Sequence, residues 1–142
     1  MKLPNLKDIV SLLLLIMIFM HIIDDYYLQG CLAKMKQKDF WKEYVEKDSQ
    51  YKYDYLMALF MHGFSWSFMI HLPIIVLYFI YGYTVLSNFL SISIFINAII
   101  HSMVDNLKCN KFKINLMEDQ EIHIFQIIVV FFTFIILPNY II

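Results

Sequence analysis

Long apolar runs alternate with lysine-rich segments along this chain of 142 residues. Four runs approach or reach the length of about 20 residues that a helix needs to cross a bilayer. They cover about residues 6–29, 55–81, 84–105 and 121–137, and Pro73 inside the second run predicts a kink. The pattern predicts an all-α protein with a single transmembrane domain, residues 1–142, folded as an integral membrane bundle of four antiparallel helices.

The lysines predict how such a bundle is oriented. Nine of the 11 lysines lie in two loops, residues 30–54 and 106–120, which the topology places on one side of the membrane. The other side carries Lys2, Lys7, an uncharged turn near Gly82 and an uncharged C-terminal segment. By the positive-inside rule we expect a multi-pass protein of the inner (cytoplasmic) membrane, with both loops in the cytoplasm and both termini outside. No small-residue cleavage site follows the first run, so we expect a retained span and not a signal peptide.

Composition narrows the class of protein further. Hydrophobic residues make up 61% of the chain, against roughly 45–50% in soluble domains, and charged residues make up only 16%. These values argue against a soluble enzyme, a disordered chain and a disulfide scaffold, and make the lipid bilayer the expected partner. With a net charge of −1 and no arginine, the chain offers no basis for nucleic-acid binding. Cys31 and Cys109 are far apart and are expected to be free thiols.

Ionisable residues recur inside the predicted spans, where they are costly and by default mark function. Histidine and aspartate occur four residues apart near one end of spans one, three and four, and a lone histidine lies near the start of span two. These residues are His21 and Asp25, His62, His101 and Asp105, and Asp119 and His123. A spacing of four places two side chains on one helix face. Because the topology brings these helix ends to one depth, we expect all seven side chains to meet in the core of the bundle.

Imidazole and carboxylate groups together suit a divalent transition metal such as Zn, Mn or Fe. All seven residues are candidate metal ligands. Seven exceeds the four ligands of one tetrahedral zinc, so mononuclear and dinuclear centres are both open. Some of the aspartates could instead orient the imidazoles by accepting the other ring N–H. The competing interpretation is a metal-free network of histidine–aspartate hydrogen bonds that satisfies buried polar groups and sets the helix register.

Further polar residues extend these faces into the membrane. Ser93 and Asn97 continue the face of span three, and Gln126 continues that of span four. His71 comes nine residues after His62, which places it deeper and on the opposite face. We therefore expect His71 to have a structural or proton-handling role and not to be a ligand.

Other features have ordinary structural explanations. Asp24 is expected to face away from the stripe formed by His21 and Asp25, and Trp66 to belong to an interfacial aromatic belt. In the first loop, apolar residues at helical spacing predict a short helix that either lies in the membrane interface or packs on the end of the bundle. These residues are Phe40, Trp41, Tyr44 and Val45.

One motif occurs twice in the sequence. His21-x-x-x-Asp25 recurs as His101-x-x-x-Asp105, and each copy closes an inward-going span and is followed by a lysine-bearing loop. This predicts two pseudo-repeated helical hairpins related by an axis along the membrane normal.

The order and spacing of these motifs resemble those of a family of small bacterial and phage four-span membrane proteins, known as a domain of unknown function. The family pattern is H-x-x-x-D-[aromatic]-x-x-Q, then a lone His, then H-x-x-x-D-x-x-K, then D-Q-x-x-H. The matching positions here are His21, Asp25, Gln29, either Lys34 or Lys36, His62, His101, Asp105, Lys108, Asp119, Gln120 and His123. The resemblance covers nearly the whole chain, although Asp24 replaces a residue that is usually small and the first loop is longer. It implies that these residues act together, and it implies no particular reaction.

Two classes of function fit the sequence. The first is a membrane-embedded, metal-dependent hydrolase that acts at the cytoplasmic face on a phosphorylated small molecule or a lipid headgroup. In it Asp25 and Asp105 are candidate catalytic carboxylates, as ligands or general base, and His62 is a candidate ligand or acid.

The alternative is a non-catalytic membrane protein that binds metal, translocates an ion or binds a partner. The polar line of Ser93 and Asn97 supports translocation, but few polar residues continue it to the other side. Haem held between two histidines is a third option, and a homodimer is a candidate assembly because four short helices bury little surface.

Overall fold

The computed structural model describes residues 6–81 and 87–136. Within those ranges the chain is helical and contains no strand, so the prediction of an all-α protein is confirmed. The uncharged turn predicted near Gly82, the lysine at position 2 and Pro138 lie outside the described residues.

Four long helices account for most of the described chain. Helix α1 covers Leu6–Ile22 and continues as a π-helical segment, Ile23–Leu28. Helix α4 covers Asp54–Tyr81, α5 covers Ser87–Cys109, and α6 covers Leu116–Phe131 and continues as a second π-helical segment, Phe132–Ile136. Between α1 and α4 lie two short helices, α2 (Leu32–Met35) and α3 (Lys42–Lys47), and two 3-10 segments, Lys38–Trp41 and Ser49–Tyr53.

The helix ends nearest the loops differ from the predicted ones. Helix α5 continues past residue 105 to Cys109, and α6 begins at Leu116 instead of about residue 121. A capping box explains the early start of α6, since Asn115 accepts from the backbone N–H of Glu118 and Glu118 accepts from that of Asn115. Helix α4 runs through Pro73 without interruption.

The long helices pack in a closed ring, in which α1 and α5 each contact both α4 and α6. Helices α4 and α5 are antiparallel, because Ser67 donates to the carbonyl of Ile94 while Ser102 donates to that of Leu59. Their closest approach is at Gly63. A Cβ there would lie 2.3 Å from Ser102 Oγ and 2.6 Å from Ala98 O, so only glycine allows this packing.

Unlike a soluble bundle, this bundle exposes large apolar side chains on its outside and buries a layer of ionisable side chains inside. The interior holds apolar residues such as Met17 and Ile70 at one level and a layer of histidine and aspartate at the next. Large apolar side chains are exposed on the outer faces of all four long helices, including Leu15, Phe19, Met57, Phe79, Ile92, Met103, Phe125 and Val129. Two helical stretches, Ser49–Ile80 and Asn88–Cys109, are long and apolar enough to cross a membrane.

Candidate metal centre

The polar layer lies where the C-terminal ends of α1 and α5 meet the N-terminal halves of α4 and α6. Every side chain that the sequence singled out as a ligand is buried there. These are His21, Asp25, His62, His101, Asp105, Asp119 and His123. The expectation that the polar stripes face each other in the core is therefore met, while their chemical roles remain predictions.

Four of these residues form the first ligand group: Asp25, His62, His101 and Asp105. The Nε2 atom of His62 lies 3.3 Å from Asp25 Oδ1, 3.4 Å from Asp105 Oδ2 and 3.2 Å from His101 Nε2. His101 Nε2 is 3.9 Å from Asp105 Oδ2. Ligands that share a metal at bond lengths of about 2.0–2.2 Å lie roughly 3–3.5 Å apart. Three atoms thus lie around His62 Nε2 at separations close to those within a coordination shell, and Asp25, His62 and His101 offer ligand atoms that all lie within 4.8 Å of one another.

A second ligand group, Asp105, Asp119 and His123, adjoins the first. His123 Nε2 lies 3.6 Å from Asp105 Oδ1 and 3.4 Å from Asp119 Oδ1. His101 stacks on His123 with ring centroids 4.0 Å apart. It also offers a ligand atom within 4.8 Å of atoms from Asp105 and His123. Asp105 belongs to both groups and turns one carboxylate oxygen toward each.

His21 lies beside these groups and in neither of them. The indole N–H of Trp66 can only donate, so His21 Nδ1 accepts it at 2.6 Å and His21 Nε2 carries the ring proton. That Nε2–H donates to Gln120 Oε1 at 3.0 Å, and Gln120 in turn donates to Asp25 Oδ2 and Asp119 Oδ2. Protein partners engage both nitrogens of His21, so neither is directed at the two groups, and its role as a ligand stays a prediction.

The position of Asp24 differs from the one predicted from the sequence. It does not face away from the site, because its side chain is buried, accepts from Ser65 Oγ at 2.6 Å and lies 3.8 Å from His62 Nδ1. The cause is the π-helical segment that begins at Ile23, whose wider turns bring two successive carboxylates inward. Asp24 thereby faces the nitrogen of His62 that points away from the first ligand group, an arrangement common behind metal-bound histidines.

The position of Trp66 also differs from the predicted one. It is fully buried and not part of an interfacial belt, and it stacks on His101 with ring centroids 4.2 Å apart. It follows His62 by four residues, so the spacing that grouped the other site residues would also have placed it on this face.

Two lysines reach the site from the loops. Lys36 follows α2, is buried and donates to Asp105 Oδ2 at 2.5 Å, and Lys108, in the last turn of α5, donates to Asp119 Oδ2. Helical spacing does not connect Lys36 to the other site residues, because only the path of the first loop brings it inside.

His71 lies outside both ligand groups. It is buried deeper in the bundle, with Nδ1 2.7 Å from the carbonyl of Ser67 and Nε2 2.9 Å from Ser93 Oγ. Both ring nitrogens have protein partners, which agrees with the structural role expected from its position.

No family model, curated protein or solved structure matches this chain.

Proposed function

We propose that the chain is a multi-pass protein of the cytoplasmic membrane whose four long helices form a transmembrane bundle. The inverted polarity supports this, since exposed Leu, Ile and Phe side chains surround a core that contains histidine, aspartate and lysine. Lipid favours such an arrangement, whereas water would drive the apolar faces inward. The lysine-rich loops support the predicted orientation, with the polar layer close to the cytoplasmic surface.

We further propose that the protein is a metal-dependent hydrolase. The observation that carries the proposal is the first ligand group, in which buried atoms of Asp25, His101 and Asp105 lie 3.2–3.4 Å from His62 Nε2. A divalent transition metal such as Zn, Mn or Fe fits this donor set and would supply a hydroxide nucleophile at neutral pH. Asp24, His21 and Gln120 hold the ligands in place from outside the group.

Charge supports the same assignment. Four carboxylates are buried at this level, Asp24, Asp25, Asp105 and Asp119; two lysine ammonium groups bind two of them, and a histidine lies within 4 Å of each. Buried carboxylates without cationic partners are strongly unfavourable. A divalent cation restores the balance at the place where the carboxylates converge.

The path to the site favours a lipid headgroup as the substrate over a soluble molecule. An apolar groove of about 760 Å³ lies between the π-helical segment of α1 and helix α6, lined by residues that include Tyr26, Leu116, Ile124 and Ile128. It continues onto the exposed apolar face of α6 at Phe125 and reaches Gln120, which contacts both Asp25 and Asp119. An acyl chain in this groove would place its phosphorylated headgroup beside Gln120.

The test is hydrolysis by the detergent-purified protein loaded with Zn, Mn or Fe, using vesicles that contain phosphatidic acid and, in parallel, a soluble phosphomonoester. We expect metal-dependent phosphate release from the vesicles, abolished by H62A and retained in H71A. Absence of bound metal from the wild-type protein, or equal activity in H62A, would contradict the proposal.

One observation favours ion translocation as a second candidate. Hydrogen bonds connect His123 through Gln126 and Asn97 to Ser93 and then to His71, deeper in the bundle. Proteoliposome uptake of divalent metal or protons separates the two functions. A translocator would lose uptake in H71A, whereas a hydrolase would show no uptake in either form.

A further inference from the structure

The site contains three buried atoms that face one another and have no hydrogen-bond partner among the described residues. They are Asp105 Oδ1, Asp119 Oδ1 and His123 Nε2. The other oxygen of each aspartate, Oδ2, accepts from a lysine: Lys36 binds that of Asp105, which also lies 3.4 Å from His62 Nε2 in the first ligand group, and Lys108 binds that of Asp119. The lysines therefore leave both Oδ1 atoms directed at the same nitrogen.

A chain of hydrogen bonds determines which nitrogen of His123 is bare. A backbone carbonyl can only accept, so Asn97 donates its amide N–H to Ser93 O at 3.0 Å and turns Oδ1 toward Gln126. Gln126 Nε2 donates to that Oδ1 at 3.2 Å and turns its own Oε1 toward His123 Nδ1, 3.2 Å away. His123 therefore carries a proton on Nδ1.

The consequence is a nitrogen that faces two carboxylate oxygens. When His123 is neutral, the lone pair of Nε2 points toward Asp105 Oδ1 at 3.6 Å and Asp119 Oδ1 at 3.4 Å. Three electron-rich atoms repel one another in a buried site unless a cation lies among them. Two carboxylates and an imidazole with its other N–H satisfied form a ligand set for a divalent transition metal.

We infer that the centre is dinuclear, with the carboxylate of Asp105 bridging a metal ion in the first ligand group and a second ion bound by His123 and Asp119. Gln126 and Asn97 are positioning residues for this second ion, because they hold the proton on His123 Nδ1. A bridging carboxylate is the arrangement that two-metal hydrolases use to keep their ions roughly 3.5–4 Å apart. The inference rests on the proposed function only in assuming that the first ligand group binds metal.

The experiment is metal loading of the detergent-purified protein with Mn²⁺, with stoichiometry measured by elemental analysis and coupling measured by electron paramagnetic resonance. The wild-type protein should bind two ions per chain and give an exchange-coupled spectrum. H123A and D119N should bind one ion and give the six-line spectrum of isolated Mn²⁺. H71A is the matched control, a buried histidine outside both groups, and should bind two coupled ions.

The affinity for the second ion tests the positioning role of Gln126. Gln126→Leu removes the acceptor for His123 Nδ1–H and should weaken binding of one of the two ions by about 10–100-fold. Gln126→Glu keeps an acceptor oxygen and should restore the second ion. Circular dichroism and size-exclusion profiles like those of the wild-type protein show that a variant has folded.

The number of bound ions distinguishes failure of the dinuclear inference from failure of the proposed first metal site. One ion in the wild-type protein, unchanged in H123A and lost in H62A, would overturn the dinuclear inference and leave the first metal site standing, with a proton on His123 Nε2 as the cation. No ion in the wild-type protein would overturn both. Two uncoupled ions, or two ions retained in H123A, would overturn the bridge through Asp105.

Discussion

His21-x-x-x-Asp25 and His101-x-x-x-Asp105 have the same spacing and end in the same polar layer, yet they contribute differently. The second motif lies on a regular α-helix, and His101 and Asp105 both enter the first ligand group. The first motif crosses from an α-helix into a π-helical segment at Ile23, so Asp25 enters the group while His21 bonds to Trp66 and Gln120. A spacing of four predicts a common face only where the helix stays regular.

The two motifs therefore contribute different side chains to the site. Helix α5 supplies a histidine and the carboxylate that both ligand groups share. Helix α1 and its π-helical extension supply one candidate ligand, Asp25, and two side chains beside the group, Asp24 behind His62 and His21 beside Gln120. The predicted pseudo-repeat therefore extends to the motif and the depth of its residues, and not to the chemistry of each position.

The largest expected effect comes from the residue that both groups share. Asp105→Asn should abolish metal binding at both positions and leave Lys36 buried without its partner, which costs ~3–5 kcal/mol of stability. Unfolding in denaturant and elemental analysis measure the two effects. Asp39→Asn is the matched control, because that carboxylate is exposed and pairs with the exposed Lys42. An Asp105→Asn protein with wild-type metal content would show that Asp105 is not needed for metal binding in either group.

Substituting the histidine of each motif tests the difference between the two motifs most directly. His101→Ala should eliminate the ion of the first ligand group, because it removes a nitrogen 3.2 Å from His62 Nε2. His21→Ala should retain that ion with an affinity lower by about 10–100-fold, since it removes only the support of Gln120. Isothermal titration with Zn²⁺ measures both. Equal losses in the two variants would mean that His21 is a ligand after all.

A smaller effect is expected where α4 and α5 touch. Gly63→Ala should force the helices apart at Ala98 and Ser102, destabilising the protein by about 1–3 kcal/mol. Because His62 precedes Gly63 and faces His101 across this contact, metal affinity should fall as well. Thermal unfolding with and without metal tests this, and unchanged values in both would show that the contact is looser than described.

The smallest effect is expected at Trp66. Trp66→Phe keeps an aromatic ring against His101 but removes the N–H that holds His21 in its tautomer. Affinity for metal should fall by less than 10-fold, roughly the lower limit for such supporting contacts. Trp66→Phe should add nothing to His21→Ala in a double variant, because both remove the same support. Additive losses would separate the two residues.

Much of the site was accessible from residue spacing, but not all of it. The seven predicted residues meet in one buried layer because three of the four long helices carry polar residues at helical spacing near the same end. Asp24 and Trp66 were assigned to other places, and Lys36 was singled out only through the family resemblance, as an alternative to Lys34. A π-helical segment reorients Asp24, the aromatic character of Trp66 suggested an interface, and Lys36 arrives through an irregular loop.

Periodicity and composition were enough to establish the helical class and to single out the polar residues. Both are local properties, because a histidine in an apolar helix needs a partner whatever the rest of the chain does. Which partner it obtains depends on how helices cross and where a turn widens. Packing therefore separated His21 from the ligands, placed Asp105 between two groups and brought a loop lysine into the core, since these outcomes involve contacts between residues far apart in the chain.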